Sequence, residues 1–199
     1  MKLTTDQLDI LTELINIGVG QAAAMLNEMI EFPIRLQVPK LQLLTWTELQ
    51  KELGERLGID LLSSVQLEFD GSFAGTAQLV FPTESAATLV SVLTGEDEES
   101  PELNALKIGT LTEVGNIVIN GVMGVISNML EQPMRYAVPT YTEEDIKHLV
   151  PQQKSEPDIP ILLAQTRFNI EALQVQGDII LFFNVGSFDT LLNIIDNLD

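Results

Sequence analysis

The chain writes one stretch twice, and that repetition limits what it can fold into. Asp9–Pro39 reads DILTELINIGVGQAAAMLNEMIEFPIRLQVP, and one hundred residues later Gly109–Pro139 reads GTLTEVGNIVINGVMGVISNMLEQPMRYAVP. Glu13, Asn16, Arg35, Val38 and Pro39 fall in register with Glu113, Asn116, Arg135, Val138 and Pro139. A single Glu-x-x-Asn pair carries little information. Two pairs at one offset, each followed by 22 residues and a proline, mark an internal duplication.

The order of elements repeats as well. Thr4 and Gln7 have the spacing of a capping box, and Leu8, Leu11, Ile15, Val19, Ala22, Leu26 and Met29 recur at helical period. The pattern predicts a helix from about Asp6 to Ile30. Phe32–Leu44 alternates as a strand, with Pro39 at a bulge or an end. A short helix over Trp46–Leu57, closed by Gly58, comes next. Strands Val65–Asp70 and Gly75–Phe81 form a hairpin through Gly71-Ser72, and a helix spans Thr83–Leu93. Gly95–Pro101 is an acidic linker. The second half predicts a helix from about Pro101 to Leu130, a strand over Met134–Tyr141 and a short polar helix over Thr142–Val150. A loop over Pro151–Pro160, strands Ile161–Ile170 and Leu173–Phe183, and a helix over Ser187–Leu198 complete it. Gly75 and Gly177 are matched at an offset of 102 residues.

Three strands per half are too few to form a sheet with both faces covered. The expectation is therefore an α+β fold of one domain, residues 1–199, made of two repeats (about 1–95 and 100–199). A pseudo-twofold axis relates them across one mainly antiparallel sheet of about six strands, with two long helices side by side on one face.

On the first helix Asp9, Glu13, Asn16 and Gly20 stand at i, i+4, i+7 and i+11, a single face opposite the apolar stripe. The second copy of this strip is Gly109, Glu113, Asn116 and Asn120. Exposed Glu and Asn on one helix are ordinary surface residues. Asparagine is a poor helix former, however, and the chain keeps it at the same mid-helix position twice. That favours a site. A carboxylate can pair with a partner's lysine, and an amide can orient water without titrating. The pair has no nucleophile, strong base or metal cage. It suits a reaction whose metal and electrophile arrive with the substrate, such as water attack on a phosphoryl group.

Composition narrows the partners. With 29 acidic against 10 basic side chains, a net charge of −19, the chain repels nucleic acid and anionic membrane and favours a partner with a basic rim. It has no cysteine, hence no disulfide framework or thiolate chemistry. The opening MKLTTDQLD does not read as a secretory signal, and the uncharged run Val114–Leu130 is interrupted by Asn116, Asn120, Ser127 and Asn128, as in a buried helix. A cytoplasmic location is expected. His148, the one histidine, reads as a surface residue. The runs Glu96–Glu99 and Glu143–Asp145 read as solvated loops, and Gly18-Val19-Gly20 lies inside a helix and so is no phosphate loop. Met25, Met29, Met123, Met129 and Met134 are expected in the core.

The pattern [Asp/Ser]-x3-Glu-x2-Asn-x22-Pro, present twice, resembles that of the CheC–CheX–FliY phosphatases of chemotaxis, over essentially the whole chain, with the double motif most like CheC. The resemblance implies dephosphorylation of the response regulator CheY. Asn16 and Asn116 would orient the attacking water, and Glu13 and Glu113 would pair with the regulator's lysine. Asp9 fits the motif's leading position, Gly20 its glycine, and Pro39 and Pro139 its structural end. No metal is expected on this chain, since the regulator carries the Mg2+. CheD is a possible second partner and a monomer the simpler assembly. The alternative is a non-catalytic adaptor that binds phosphorylated CheY, CheD or the flagellar switch, and a different receiver domain would serve equally as substrate. Copy two departs from the pattern with Gly109 at the leading position and Asn120 where copy one has Gly20. Copy one has Ile15 where copy two keeps Gly115. The Asp9/Glu13/Asn16 site is therefore expected to be the better of the two.

Overall fold

Thr4 caps the first helix in the way its spacing to Gln7 implies. The Thr4 N–H donates to Gln7 Oε1 at 3.0 Å and the Gln7 N–H donates to Thr4 Oγ1 at 3.2 Å. Helix α1 then runs Thr5–Met29. It is followed by β1 (Ile34–Leu44), α2 (Trp46–Leu57), β2 (Leu62–Gly71), β3 (Gly75–Pro82) and α3 (Thr83–Thr94). The second half supplies α4 (Pro101–Met129), β4 (Met134–Tyr136), β5 (Thr140–Glu144), β6 (Ile161–Ile170), β7 (Leu173–Phe183) and α5 (Ser187–Ile195). This computed structural model describes residues 3–29, 33–57, 61–97, 101–146, 148–149, 160–170 and 173–197. The expected strand start at Phe32, the closing Gly58, most of the Pro151–Pro160 loop and the helix end at Leu198 lie outside the described residues.

All described strands join one sheet in the order β1-β6-β7-β3-β2-β4, with β5 continuing the edge beside β2, and every pairing is antiparallel. The third strands of the two halves, β3 and β7, pair at the centre. The first strand of each half pairs with the second strand of the other: β1 with β6, and β4 and β5 with β2. The halves thus exchange their edges about a pseudo-twofold axis.

The ladder fixes which residues correspond. Val65 pairs with Leu79 and Tyr141, as Ala164 pairs with Ile179 and Leu41. By the same registers Phe69 pairs with Gly75 where Phe168 pairs with Val175. Val175 is therefore the counterpart of Gly75, which corrects the match of Gly75 to Gly177. Each glycine answers to its own local crowding instead. A Cβ at Gly75 would lie 2.1 Å from the Phe182 carbonyl oxygen of the paired strand and 2.7 Å from Phe69 Cζ, whereas one at Gly177 would lie 2.6 Å from Phe81 Cε1.

The two motif prolines occupy equivalent irregularities. Two residues of β1, Val38 and Pro39, face the single Thr166 between the Gln37↔Arg167 and Lys40↔Gln165 pairs. Between Tyr136↔Phe69 and Thr140↔Gln66 the second copy likewise carries one residue more than β2. This is the geometry of a bulge, where a proline's missing donor costs no ladder bond. In copy two the interruption splits the expected Met134–Tyr141 strand into β4 and β5. The expected helix over Thr142–Val150 is not formed across Thr142–Glu144, which pairs with Leu62–Ser64 instead. Thr-Glu-Glu-Asp resembles a helix start. The open edge of β2 nevertheless offers a row of backbone partners to a segment led by Thr140, Tyr141 and Thr142, all good strand formers.

Both sheet faces are covered. Phe69, Leu79, Phe81, Phe168, Leu181 and Phe183 point toward α1, α3, α4 and α5 in the main core. Val80, Leu163, Ile180 and Phe182 point the other way, under Leu49 and Leu53 of α2 and under Ile146 and Leu149. Ala105–Met129 of α4 is apolar and long enough to cross a membrane by composition alone. Packing accounts for that character, because Leu111, Val114, Val118, Val122 and Ile126 are all buried in the main core. Met123 is buried, but Met25 and Met129 are 51 % and 52 % exposed, against the core position expected for them.

The long helices run antiparallel, since Gly18 meets Val122 while Leu26 shares a cleft with Glu113 and Val114. They touch backbone to backbone. A Cβ on Gly18 would lie 2.5 Å from Val122 Cα, and one on Gly121 would lie 2.9 Å from Gly18 O. Gly20, two residues on, faces open space. Replacement by alanine should therefore have opposite signs at the two positions. Gly18→Ala forces the helices apart and should cost about 1–3 kcal/mol. Gly20→Ala should stabilise by roughly 0.5–1 kcal/mol through helix propensity. Urea denaturation of both variants checks this.

Candidate functional site

Because Leu11, Ile15, Val19, Ala22 and Leu26 are held in the core, the helical period turns Asp9, Glu13, Asn16 and Gly20 outward, and all four are exposed. Neither Glu13 nor Asn16 hydrogen-bonds to any described residue. Both side chains are available to a partner.

The second strip differs in detail. Gly109 and Glu113 are exposed, while Asn116 and Asn120 are half-buried. Asn120 Nδ2 donates to Asn116 Oδ1 at 2.7 Å, so this amide is not idle. Glu113 and Gly109 border an apolar cleft of about 440 Å3 between α3 and α4, with Leu26, Leu93 and Leu106 in its walls. Since α1 and α4 are antiparallel and cross at Gly18 and Val122, the two strips lie toward opposite ends of the helix pair. The fold does not merge them into one site.

The exchange of Gly115 for Ile15 has a packing cause. A Cβ on Gly115 would fall 2.5 Å from Val65 Cβ. In the other half Val65 is replaced by its counterpart Ala164, and buried Ile15 stands in the glycine's place. Bulk has moved between helix and strand, leaving the neighbouring asparagine on the outer face both times.

Lys107, two residues before Gly109, forms an ion pair with Glu143 on β5 and so ties α4 to the sheet edge. The Tyr141 hydroxyl donates to Glu143 Oε1 at 2.7 Å and lies 3.2 Å from Ser63 Oγ. The hydrogen bond from Lys107, aided by that from Tyr141, holds the Glu143 carboxyl below its usual range, and burial pushes the Tyr141 phenol up. Glu143 is thus an edge-strand brace and not the solvated loop residue expected. His148 is exposed and lies 2.9 Å from Asp145, in line with a surface role. No group of three His, Asp or Glu among the described residues could hold a metal ion.

The CheC-like family model matches residues 7–42, which span the first strip and the β1 bulge with Pro39. The CheY-P phosphatase CheC of Bacillus subtilis is 27 % identical over 138 residues, 67 % of this chain and 65 % of that protein. The chain is thus similar to CheC-like proteins, by family model over residues 7–42 and by sequence over about two thirds of its length. Solved structures extend the likeness of fold around it. FliY of Thermotoga maritima superposes with a TM-score of 0.78 at 16 % identity, covering 98 % of each chain. The FliM middle domain from H. pylori gives 0.66 at 15 % identity, over 96 % of this chain and 99 % of that one. The CheX–CheY–BeF3–Mg2+ complex from Borrelia burgdorferi gives 0.52 at 18 %, over 87 % and 99 %. The matched stretch thus spans just under two thirds of the Bacillus CheC.

The brace beside the second strip is pH-dependent with a definite sign. A lowered folded-state pKa means that the Lys107–Glu143 pair contributes fully above the ordinary carboxyl value of 4.5 and loses its contribution as acid drives Glu143 through its folded-state pKa. Glu143 is partly exposed, so the contribution is below about 1 kcal/mol. Glu143→Gln should lower the melting temperature by about 2 °C near neutral pH. Thermal denaturation at about pH 7 and about pH 3 should show that gap closing in acid.

Proposed function

We propose that this chain hydrolyses the aspartyl phosphate of a CheY-like receiver domain, using two Glu–Asn strips. The observation that carries the reading is the pair Glu13 and Asn16, exposed on adjacent helical turns and unengaged by the described residues, and repeated at Glu113 and Asn116. Its match to the CheC-like family model over residues 7–42 and the name of its Bacillus relative, CheY-P phosphatase, support the substrate.

In-line attack at phosphorus needs a water whose lone pair faces the phosphoryl group, so both its hydrogens must point away. The Asn16 or Asn116 Oδ1 accepts one of them and holds the water in that orientation without competing as a base. Glu13 or Glu113 forms a charge-assisted pair with a receiver lysine, fixing the helix against the receiver. The receiver supplies its own Mg2+ and the phosphorylated carboxylate, and this chain adds position. The acidic surface suits a receiver with a basic rim. The reading places the protein in the cytoplasm as a monomer, the pseudo-twofold already filling the role of a second subunit.

A binding role without catalysis is the second reading, favoured by the likeness to FliM middle domains. Phosphate release from a phosphorylated CheY-type receiver separates the two. Wild type should accelerate it, and Asn16→Ala with Asn116→Ala should together reduce the acceleration by about tenfold to a hundredfold. The melting temperature should stay nearly unchanged for Asn16→Ala, which is exposed, and fall by only a few degrees for Asn116→Ala, which loses one half-buried hydrogen bond. A wild type that binds the phosphorylated receiver without speeding phosphate release establishes an adaptor instead.

A further inference from the structure

We propose that Asn120 is a positioning residue that slows the second site by holding the oxygen of Asn116, making the protein a two-speed phosphatase. The proposal rests on the phosphatase reading above and adds to it a mechanism for inequality between the sites. Asn120 Nδ2 donates to Asn116 Oδ1 at 2.7 Å, one helical turn apart. The atom it occupies is the acceptor on which the attacking water depends. A carbonyl oxygen has a second lone pair, so the bond does not block the site outright. It fixes the plane of the amide and draws on the acceptor's charge, and water must bind to what is left. At the corresponding place in the first strip stands Gly20, which has no side chain to reach Asn16, and Asn16 is exposed where Asn116 is half-buried.

The difference is transferable. A Cβ on Gly20 would meet nothing within 4 Å, so α1 has room for an asparagine there. The side chain at this position is the difference between the strips that bears directly on the asparagine oxygen. Gly20→Asn should impose the brake on the first site, and Asn120→Gly should lift it from the second.

The experiment isolates each site by disabling the other, with phosphate release from a phosphorylated CheY-type receiver as the readout. On an Asn16→Ala background, Asn120→Gly should raise kcat about fivefold, the worth of one net hydrogen bond, with KM little changed. Asn120→Ala should do the same without adding a helix-interior glycine, which covers the case where the glycine variant is poorly folded. On an Asn116→Ala background, Gly20→Asn should lower kcat by a similar factor. The Asn116 side-chain amide resonances should shift in the Asn120 variants as its oxygen loses a donor, which a general loosening of α4 would not confine to that residue. If the Asn16→Ala/Asn116→Ala protein is inactive but the Asn120 variants leave kcat unchanged or lower, the brake is overturned and the phosphatase reading stands. If the double variant keeps the wild-type rate, the phosphatase reading falls, and the brake with it.

Discussion

Two helices that meet backbone to backbone determine how much of each can look outward. Gly18 and Gly121 let α1 and α4 approach until one helix's carbonyl oxygen fills the space where a Cβ would stand on the other. At that separation each helix closes the other's flank, and the sheet closes the face below. A single strip of α1 remains for solvent, the one with Asp9, Glu13, Asn16 and Gly20. The candidate chemistry thus depends on an interaction that none of its own residues makes. Dispersion and burial hold the helix pair, and the outward angle of the Glu–Asn strip follows from helical period.

The sheet extends the same dependence. Each half sends its first strand across to the other half's second strand, so the ladder that anchors one motif helix is built half from the far repeat. The bulges at Pro39 and Pro139 lie where the crossing strands change register, and their equivalence explains why the motif's proline is kept at the same distance from its asparagine twice. The likeness of fold to FliY, FliM and CheX proteins at under one-fifth identity fits this view. What such chains share is a way of pairing strands and crossing helices, which many sequences can satisfy.

Much of this was legible in the residues because duplication doubles weak signals. The capping box at Thr4 and Gln7, the apolar stripe of α1 and the bulge prolines obey local rules and stand in the structure as read. Thr142–Glu144 did not, because its local pattern says helix while the vacant edge of β2 says strand, and an edge is invisible in sequence until topology is known. The match of Gly75 to Gly177 failed for a related reason. Gly75 yields to the Phe182 carbonyl and the Phe69 ring, Gly177 to the Phe81 ring, and which neighbour each meets is set by register. Met25 and Met129 mislead because both sit near the ends of the helix pair, where the outer face is no longer covered. The Asn120–Asn116 bond was within reach, since i, i+4 is the spacing at which side chains on a helix meet. Reading Asn120 only as a departure from Gly20 hid its donor.

The exchanged edges carry one more consequence. A chain of one repeat could build this sheet only by recruiting a second copy of itself, at a cost set by dilution. Covalent joining replaces that cost with an effective concentration fixed by a short connection. It also ends an enforced equality. In a twofold dimer of identical chains, every substitution appears at both sites at once. In the joined chain, Ile15 and Gly115, or Gly20 and Asn120, can diverge within one assembly, so the scaffold stays paired while its two faces become different instruments.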